Sequence, residues 1–185
     1  GIGAANTLIL QDDQVLGYNT EYRAALDSLA SVLRLSHGGK PMTGHTALLL
    51  GAGGVARAIA FGLAQRGAQV TVAARRPKAA QSFQQMFGCR VVEWDGRHSI
   101  NADVLINCTP VGMHPNVDET PFDRRHLRPS MTVFDTVYNP EQTLLIKEAR
   151  KQNCVVITGV DMFIRQAALQ FQYFTGQAAP VDLMR

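Results

Sequence analysis

Apolar and polar positions follow one rhythm before Thr46 and another after it. Thr7-Leu8-Ile9-Leu10 predicts a short strand, Gln11-Asp12-Asp13-Gln14 a turn, and Val15-Leu16-Gly17-Tyr18 a returning strand. Tyr22, Leu26, Leu29 and Leu33 then recur at helical spacing, and Asn19 or Thr20 is placed to cap the helix they predict. Ser36-His37-Gly38-Gly39-Lys40-Pro41 breaks the pattern. A domain boundary is expected there, with residues 1–35 on one side and 36–185 on the other.

From Thr46 onward, strands and helices alternate. Ala47 to Leu50 is a wholly apolar run, as a central parallel strand covered on both faces requires. Val55 to Arg66 predicts a helix with Ile59 and Leu63 inward, Gln69 to Ala73 a second strand, and Lys78 to Phe87 a second helix. Further strands are expected at Val91–Glu93, Val104–Asn107, Thr132–Asp135 and Val155–Thr158. A helix from Thr143 to Gln152 precedes the last of these, and a long helix from Asp161 to Phe174 follows it. Strands separated by helices imply right-handed crossovers in one parallel sheet.

The turn between the first strand and helix of this series reads Gly51-Ala52-Gly53-Gly54-Val55-Ala56. Such a turn suits a dinucleotide. The first glycine permits the tight bend, the second lets the backbone approach a pyrophosphate, and the small Ala56 lets the helix lie close to the strand. The helix N-terminus then offers free N–H groups and a partial positive charge. The fold class expected is therefore α/β, a Rossmann-type doubly wound, mostly parallel sheet of about six strands with helices on both faces. The end of the second strand chooses between cofactors. An NAD site places an acid there for the ribose 2′-hydroxyl. Here the chain reads Ala73-Ala74-Arg75-Arg76-Pro77-Lys78, with no acid and three cations. A guanidinium fork suits a 2′-phosphate, so NADP(H) is the expected cofactor.

Composition narrows the rest. With 46% hydrophobic and 18% charged residues the chain is an ordinary globular one. Its formal net charge of +3 is too weak and too dispersed to argue for nucleic acid. No signal peptide opens it, and no apolar run approaches the roughly 18 residues of a membrane span. Cys89, Cys108 and Cys154 are odd in number and set in apolar contexts, which predicts buried reduced thiols and a cytoplasm-like compartment. His37, His45, His98, His114 and His126 show no metal-binding spacing and read as surface groups. The chain opens on Gly1-Ile2-Gly3-Ala4-Ala5 without an initiator methionine, which predicts a piece of a longer protein.

Several segments recur here in a characteristic order. They are Gly3-Ala4-Ala5-Asn6-Thr7, Gly17-Tyr18-Asn19-Thr20, the glycine turn, Ile106-Asn107-Cys108-Thr109-Pro110-Val111-Gly112-Met113, Asp135-Thr136-Val137-Tyr138-Asn139-Pro140 and Gly159-Val160-Asp161-Met162-Phe163 with Gln166. Together they resemble shikimate dehydrogenases over essentially the whole chain. The closing stretch from Met162 to Arg185 is most similar to the bifunctional dehydroquinate dehydratase–shikimate dehydrogenases. The resemblance implies reversible hydride transfer between NADPH and the ketone of 3-dehydroshikimate. It implies that Asn6, Tyr138 and Gln166 contact substrate and that Gly51, Ala52, Gly53, Gly54 and Val55 hold the pyrophosphate. Ala74, Arg75 and Arg76 then hold the ribose phosphate, and Thr109, Thr136 and Gly159 border the nicotinamide half.

Two departures from the family qualify this. Ala74 and Arg76 replace the outer residues of the family's Asn-Arg-Thr motif, and Glu21 stands after Asn19-Thr20 where the family has a catalytic aspartate. The lysine paired with that aspartate belongs to a segment upstream of Asn6, and Lys40, Lys78, Lys147 and Lys151 do not match it. The expected partners are the small substrate, a missing N-terminal substrate domain and, by the bifunctional likeness, a fused dehydratase. No nucleic acid, membrane or metal is expected. The segment before Ser36 and the end of the last helix should expose apolar surface toward the missing domain. Two alternatives stay open on sequence alone: a quinate or related polyol dehydrogenase, and a non-catalytic sensor of a pathway metabolite.

Overall fold

The structure, a computed structural model, describes residues 2–33 and 42–185. The break at Ser36–Pro41, with His37, Lys40 and the expected boundary between residues 35 and 36, lies outside the described residues.

Strands β1 (Thr7–Gln11) and β2 (Gln14–Tyr18) form an antiparallel hairpin in which Thr7 pairs with Tyr18 and Gln11 with Gln14. Asp12 and Asp13 make its two-residue turn, both with positive φ (49° and 58°). That backbone hand matches the twist of the flanking strands, and aspartate tolerates it better than most side chains. Helix α1 (Thr20–Val32) starts at once. Asn19 is the cap, accepting the Tyr22 N–H at 2.9 Å. One hairpin face carries Leu8, Leu10 and Val15, all about two-thirds exposed (66%, 73% and 68%). Phe174 and Leu183 at the far end of the chain are exposed as well. These residues form the apolar surface expected of both segments.

The remaining elements are β3 (Thr46–Leu50), α2 (Gly54–Gln65), β4 (Gln69–Ala74), α3 (Pro77–Phe87), β5 (Arg90–Glu93), β6 (Val104–Asn107), β7 (Thr132–Asp135), α4 (Leu144–Lys151), β8 (Val155–Ile157), α5 (Gly159–Thr175) and α6 (Val181–Met184). The six later strands are all parallel, in the order β5-β4-β3-β6-β7-β8. Side chains alternate between two cores, as the two-residue strand period dictates. Leu49, Val72, Ile106 and Phe134 face α1, α2, α3 and α5, whereas Leu48, Leu50, Leu105 and Val133 face the α4 side. Helices therefore cover both faces. The strand order reverses between β3 and β6, and a crevice opens beyond their carboxyl ends.

Three elements carry no periodic signal and were not expected: α6 and two 3-10 turns, Trp94–Ser99 and Arg124–His126. Each is too short to show a hydrophobic repeat. Helix α5 begins at Gly159, two residues before the expected Asp161. His98 also departs from a simple surface role. It is half-buried, its Nε2 accepts the Asp123 N–H at 3.1 Å, and its ring stacks on His126 at 4.7 Å. All three cysteines are free, Cys89 and Cys154 buried and Cys108 half-buried.

Candidate functional site

The glycine turn sits where β3 runs into α2. Gly51 has φ of +101°, which side chains rarely adopt, and its N–H donates to Ala73 O at 2.8 Å. A Cβ there would stand 2.9 Å from Thr109 Cγ2 and 3.2 Å from Cys108 O, so the turn leaves no room for one. Gly53 differs. It is the N-cap of α2, no side chain caps the helix, and a Cβ built on it would meet nothing within 4 Å. The first turn of α2 also holds no acid. The helix thus presents unsatisfied N–H groups and its positive pole to open space, which is what an anion requires.

Beside that turn, β4 ends on buried Ala74, and the chain emerges as exposed Arg75 and Arg76. Gly51, Ala52, Gly53, Ala74, Arg75, Arg76 and Thr109 line one cleft of about 250 Å³. Trp94, Cys108 and Pro110 complete its wall. None of these side chains is a carboxylate. Gly54, exposed, opens α2. Arg57, one turn further along α2, is committed elsewhere: it donates to Ser82 Oγ at 2.8 Å and lies over the Phe83 ring.

A second cavity, about 90 Å³, is lined by Glu21, Val55, Thr136, Tyr138, Gly159 and Gln166, with Met162 and Phe163. It unites four segments far apart in the chain: the start of α1, the start of α2, the loop after β7 and the first turns of α5. Tyr138 is half exposed, and its ring stacks on Phe163 at a centroid distance of 4.5 Å. Burial pushes the Glu21 carboxyl above the usual range. The Thr136 hydroxyl donates to Asn107 O at 2.8 Å. Asn6 does not line this cavity. Its Nδ2 donates to Thr20 Oγ1, and its Oδ1 accepts the Thr20 N–H, both at 2.9 Å. The amide therefore ties the hairpin to the residue that precedes Glu21.

Under the two cavities lies a buried polar network whose centres, Asn107 and Asp135, have no role assigned from the sequence. Asn107 Nδ2 donates to Asp135 Oδ1 at 2.9 Å and to Val111 O at 3.1 Å. Asn107 Oδ1 accepts from Thr109, N–H at 3.0 Å and hydroxyl at 2.7 Å. Asp135 also accepts the Val137 N–H at 3.0 Å and the Thr143 hydroxyl at 2.7 Å. Burial pushes the Asp135 carboxyl up to about 6, against those three bonds, which pull it down. The network ties the loop after β6 to the loop after β7, so Thr109 in one cavity and Thr136 in the other share a support.

Size alone does not mark the site. A depression of about 800 Å³ lies at the opposite, amino ends of the strands, beside Thr46, Gln69 and Arg90, and contains no phosphate-binding turn. Among the described residues, no group of three His, Cys, Asp or Glu is placed to hold a metal, and no helix is long and apolar enough to cross a membrane.

Comparison with known proteins bears on this geometry. A family model for the shikimate 5′-dehydrogenase C-terminal domain matches residues 159–185, and one for the coenzyme F420-dependent NADP oxidoreductases matches residues 46–133. The chain is 38% identical to the shikimate dehydrogenase (NADP(+)) of Methanosarcina mazei, over 100% of this chain and 67% of that protein. It is 36% identical to the chloroplastic bifunctional 3-dehydroquinate dehydratase/shikimate dehydrogenase of Arabidopsis thaliana, over 98% of this chain and 32% of the other. It superposes with a TM-score of 0.82 and 33% identity on the shikimate 5-dehydrogenase of Thermus thermophilus, solved with NADP(H) and shikimate, covering 99% of this chain and 66% of that one. The chain thus spans about two thirds of the length of the single-function relatives (67% and 66%) and about one third of the bifunctional one (32%).

Proposed function

This chain belongs to the shikimate dehydrogenase family, and from that premise we propose that it is the cofactor-holding portion of an NADP-dependent shikimate dehydrogenase. One observation carries the reading. The acid-free end of β4, with Arg75 and Arg76, opens into the same cleft as the Gly51–Gly53 turn. A dinucleotide fits these residues. The uncapped start of α2 and the free space at Gly53 take the pyrophosphate, and the guanidinium groups take the ribose 2′-phosphate. Thr109 borders the nicotinamide half from the first cavity, Thr136 and Gly159 from the second.

NADPH, when bound, supplies the hydride for the ketone of 3-dehydroshikimate. The chain's own residues orient the substrate and move its proton. Tyr138 and Gln166 present a hydroxyl and an amide to the ring hydroxyls in the second cavity. We assign Asn6 to the substrate from the hairpin side, outside that cavity, with its amide bonded to Thr20. Glu21 is the acid–base group of this half, and burial raises its pKa. Its partner base, a lysine in the family, is not among the residues that line the cavity. We place that lysine in an upstream substrate domain that covers Leu8, Leu10 and Val15 on the hairpin. Residues 1–35 then belong to the substrate side and 36–185 to the cofactor side. The likeness to the Arabidopsis protein supports a dehydratase joined further upstream. Free thiols suit a reducing compartment, and we place the enzyme in the cytoplasm.

A steady-state assay of the 185-residue chain with shikimate and NADP⁺ tests the reading. Loss of a positioned acid–base partner costs about 10²–10⁴-fold, so turnover should fall at least that far below a complete family member. Turnover within tenfold of such an enzyme would overturn the division of labour proposed here.

A further inference from the structure

The first cavity has one wall that the phosphate-binding residues do not explain. Trp94, the only tryptophan in the chain, follows β5 directly and starts the 3-10 turn Trp94–Ser99. It lines the same cleft as Arg75 and Arg76 and is half-buried. Its ring is held in place. The Arg97 guanidinium carbon lies 4.3 Å from the ring centroid. Arg97 is itself fixed, Nη1 donating to Trp94 O at 2.7 Å and Nε to Pro121 O at 2.8 Å. Its side chain is only 16% exposed. Arg97 does not line the cleft, so its guanidinium over the ring acts as a brace and not as a cleft group. A rigid aromatic surface beside the two arginines of the cleft invites a flat ring.

We propose that Trp94 is the adenine-binding wall of the cofactor cleft. The adenine packs on the indole while Arg75 and Arg76 take the 2′-phosphate of the same adenosine. The inference rests on the NADP(H) reading above and deepens it. Stacking against an aromatic tolerates any base, so Trp94 adds affinity while the arginines add selectivity. The brace also joins the adenosine end to the loop after β6, because Arg97 holds Pro121 in that loop and His98 holds Asp123.

A lone tryptophan makes the test clean. Adenosine 2′,5′-bisphosphate and NADP⁺ should each quench the emission of the 185-residue chain to saturation, and nicotinamide mononucleotide should not. Trp94→Ala should weaken NADP⁺ and the bisphosphate about tenfold alike in calorimetry and leave the mononucleotide unchanged, as expected for one lost base–aromatic stack. Trp94→Phe should recover most of the loss, and Trp94→Leu, which keeps apolar bulk without a π face, should not. If the wild type binds the bisphosphate without a change in emission, or if Trp94→Leu binds as tightly as wild type, the adenine wall is wrong and the NADP(H) site stands. If the wild type binds neither NADP⁺ nor the bisphosphate, the NADP(H) reading itself fails. The wild-type titrations need no variant, so they decide the matter even if Trp94→Ala does not fold.

Discussion

Arg75→Ala should weaken NADP(H) binding about 10- to 100-fold, because a hydrogen bond to a charged group contributes roughly 1.5–3 kcal/mol and each 1.4 kcal/mol is tenfold. NAD(H), which lacks the 2′-phosphate, should bind the variant within about twofold of wild type if that bond is all that is lost. Arg75 is exposed and lies outside the sheet, so its removal leaves the fold intact. The family motif has a hydroxyl where this chain has Arg76, and Arg76 lines the same cleft. A second cation there means that the double variant Arg75→Ala/Arg76→Ala should lose more than either alone. Calorimetric titration of both cofactors against both variants measures it. An Arg75→Ala chain that keeps wild-type affinity for NADP(H) would remove the basis for the cofactor assignment.

Gly159→Ala should be among the most destabilising single changes available to this chain. Gly159 opens α5 and is buried beneath the loop that follows β7. A Cβ there would clash with Val137 O and its carbonyl carbon and would lie 2.8 Å from Thr136 O. All three are main-chain atoms, so no flexible side chain can yield. Either α5 or the loop bearing Thr136 and Tyr138 must move. Strain of this kind costs about 4 kcal/mol or more, and at roughly 2–4 °C per kcal/mol the melting temperature should fall by about 8–16 °C. Gly53→Ala is the contrast. Its Cβ meets nothing within 4 Å, so stability should hardly change, while the methyl group occupies the approach to the pyrophosphate and weakens NADP(H). Thermal melts of the two variants, with and without NADP⁺, separate structural from ligand-facing glycines. Equal melting temperatures for wild type and Gly159→Ala would contradict the described approach of α5 to Val137.

Most of this framework was legible in the sequence because its signals are local. The apolar run Ala47–Leu50, the glycines that follow it and the arginines after Ala74 each declare their role within a few residues. The hairpin was legible for the same reason, since its register follows from a two-residue turn. The site between α1, β7 and α5 was legible only through the order of its motifs. What escaped depends on contacts that no local period encodes. Asn107 and Asp135 are 28 residues apart and meet only because β6 and β7 are neighbours. Trp94 belongs to a turn too short to have a rhythm, and its place in the cleft follows from β5 lying beside β4. Asn6 carried a substrate expectation, and the fold gives its amide a structural partner in Thr20 as well.

Glu21 connects these levels. The cap at Asn19 fixes the first turn of α1, that turn aims Glu21 into a cavity shared with Tyr138 and Gln166, and burial there raises its pKa. Glu21 lines that cavity with one methylene more than the aspartate expected of the family. Completing the cavity is the task assigned to the upstream domain.

The proposed NADP(H) site joins the Gly51–Gly53 turn to the Arg75–Arg76 strand end in one cleft. Titrating the wild-type chain with NADP⁺ and NAD⁺ side by side, at one ionic strength, tests it most directly. Both should bind saturably, with NADP⁺ tighter by about tenfold or more, the contribution of a charge-assisted bond to the 2′-phosphate. Equal affinities, a preference for NAD⁺, or no binding of either would contradict it.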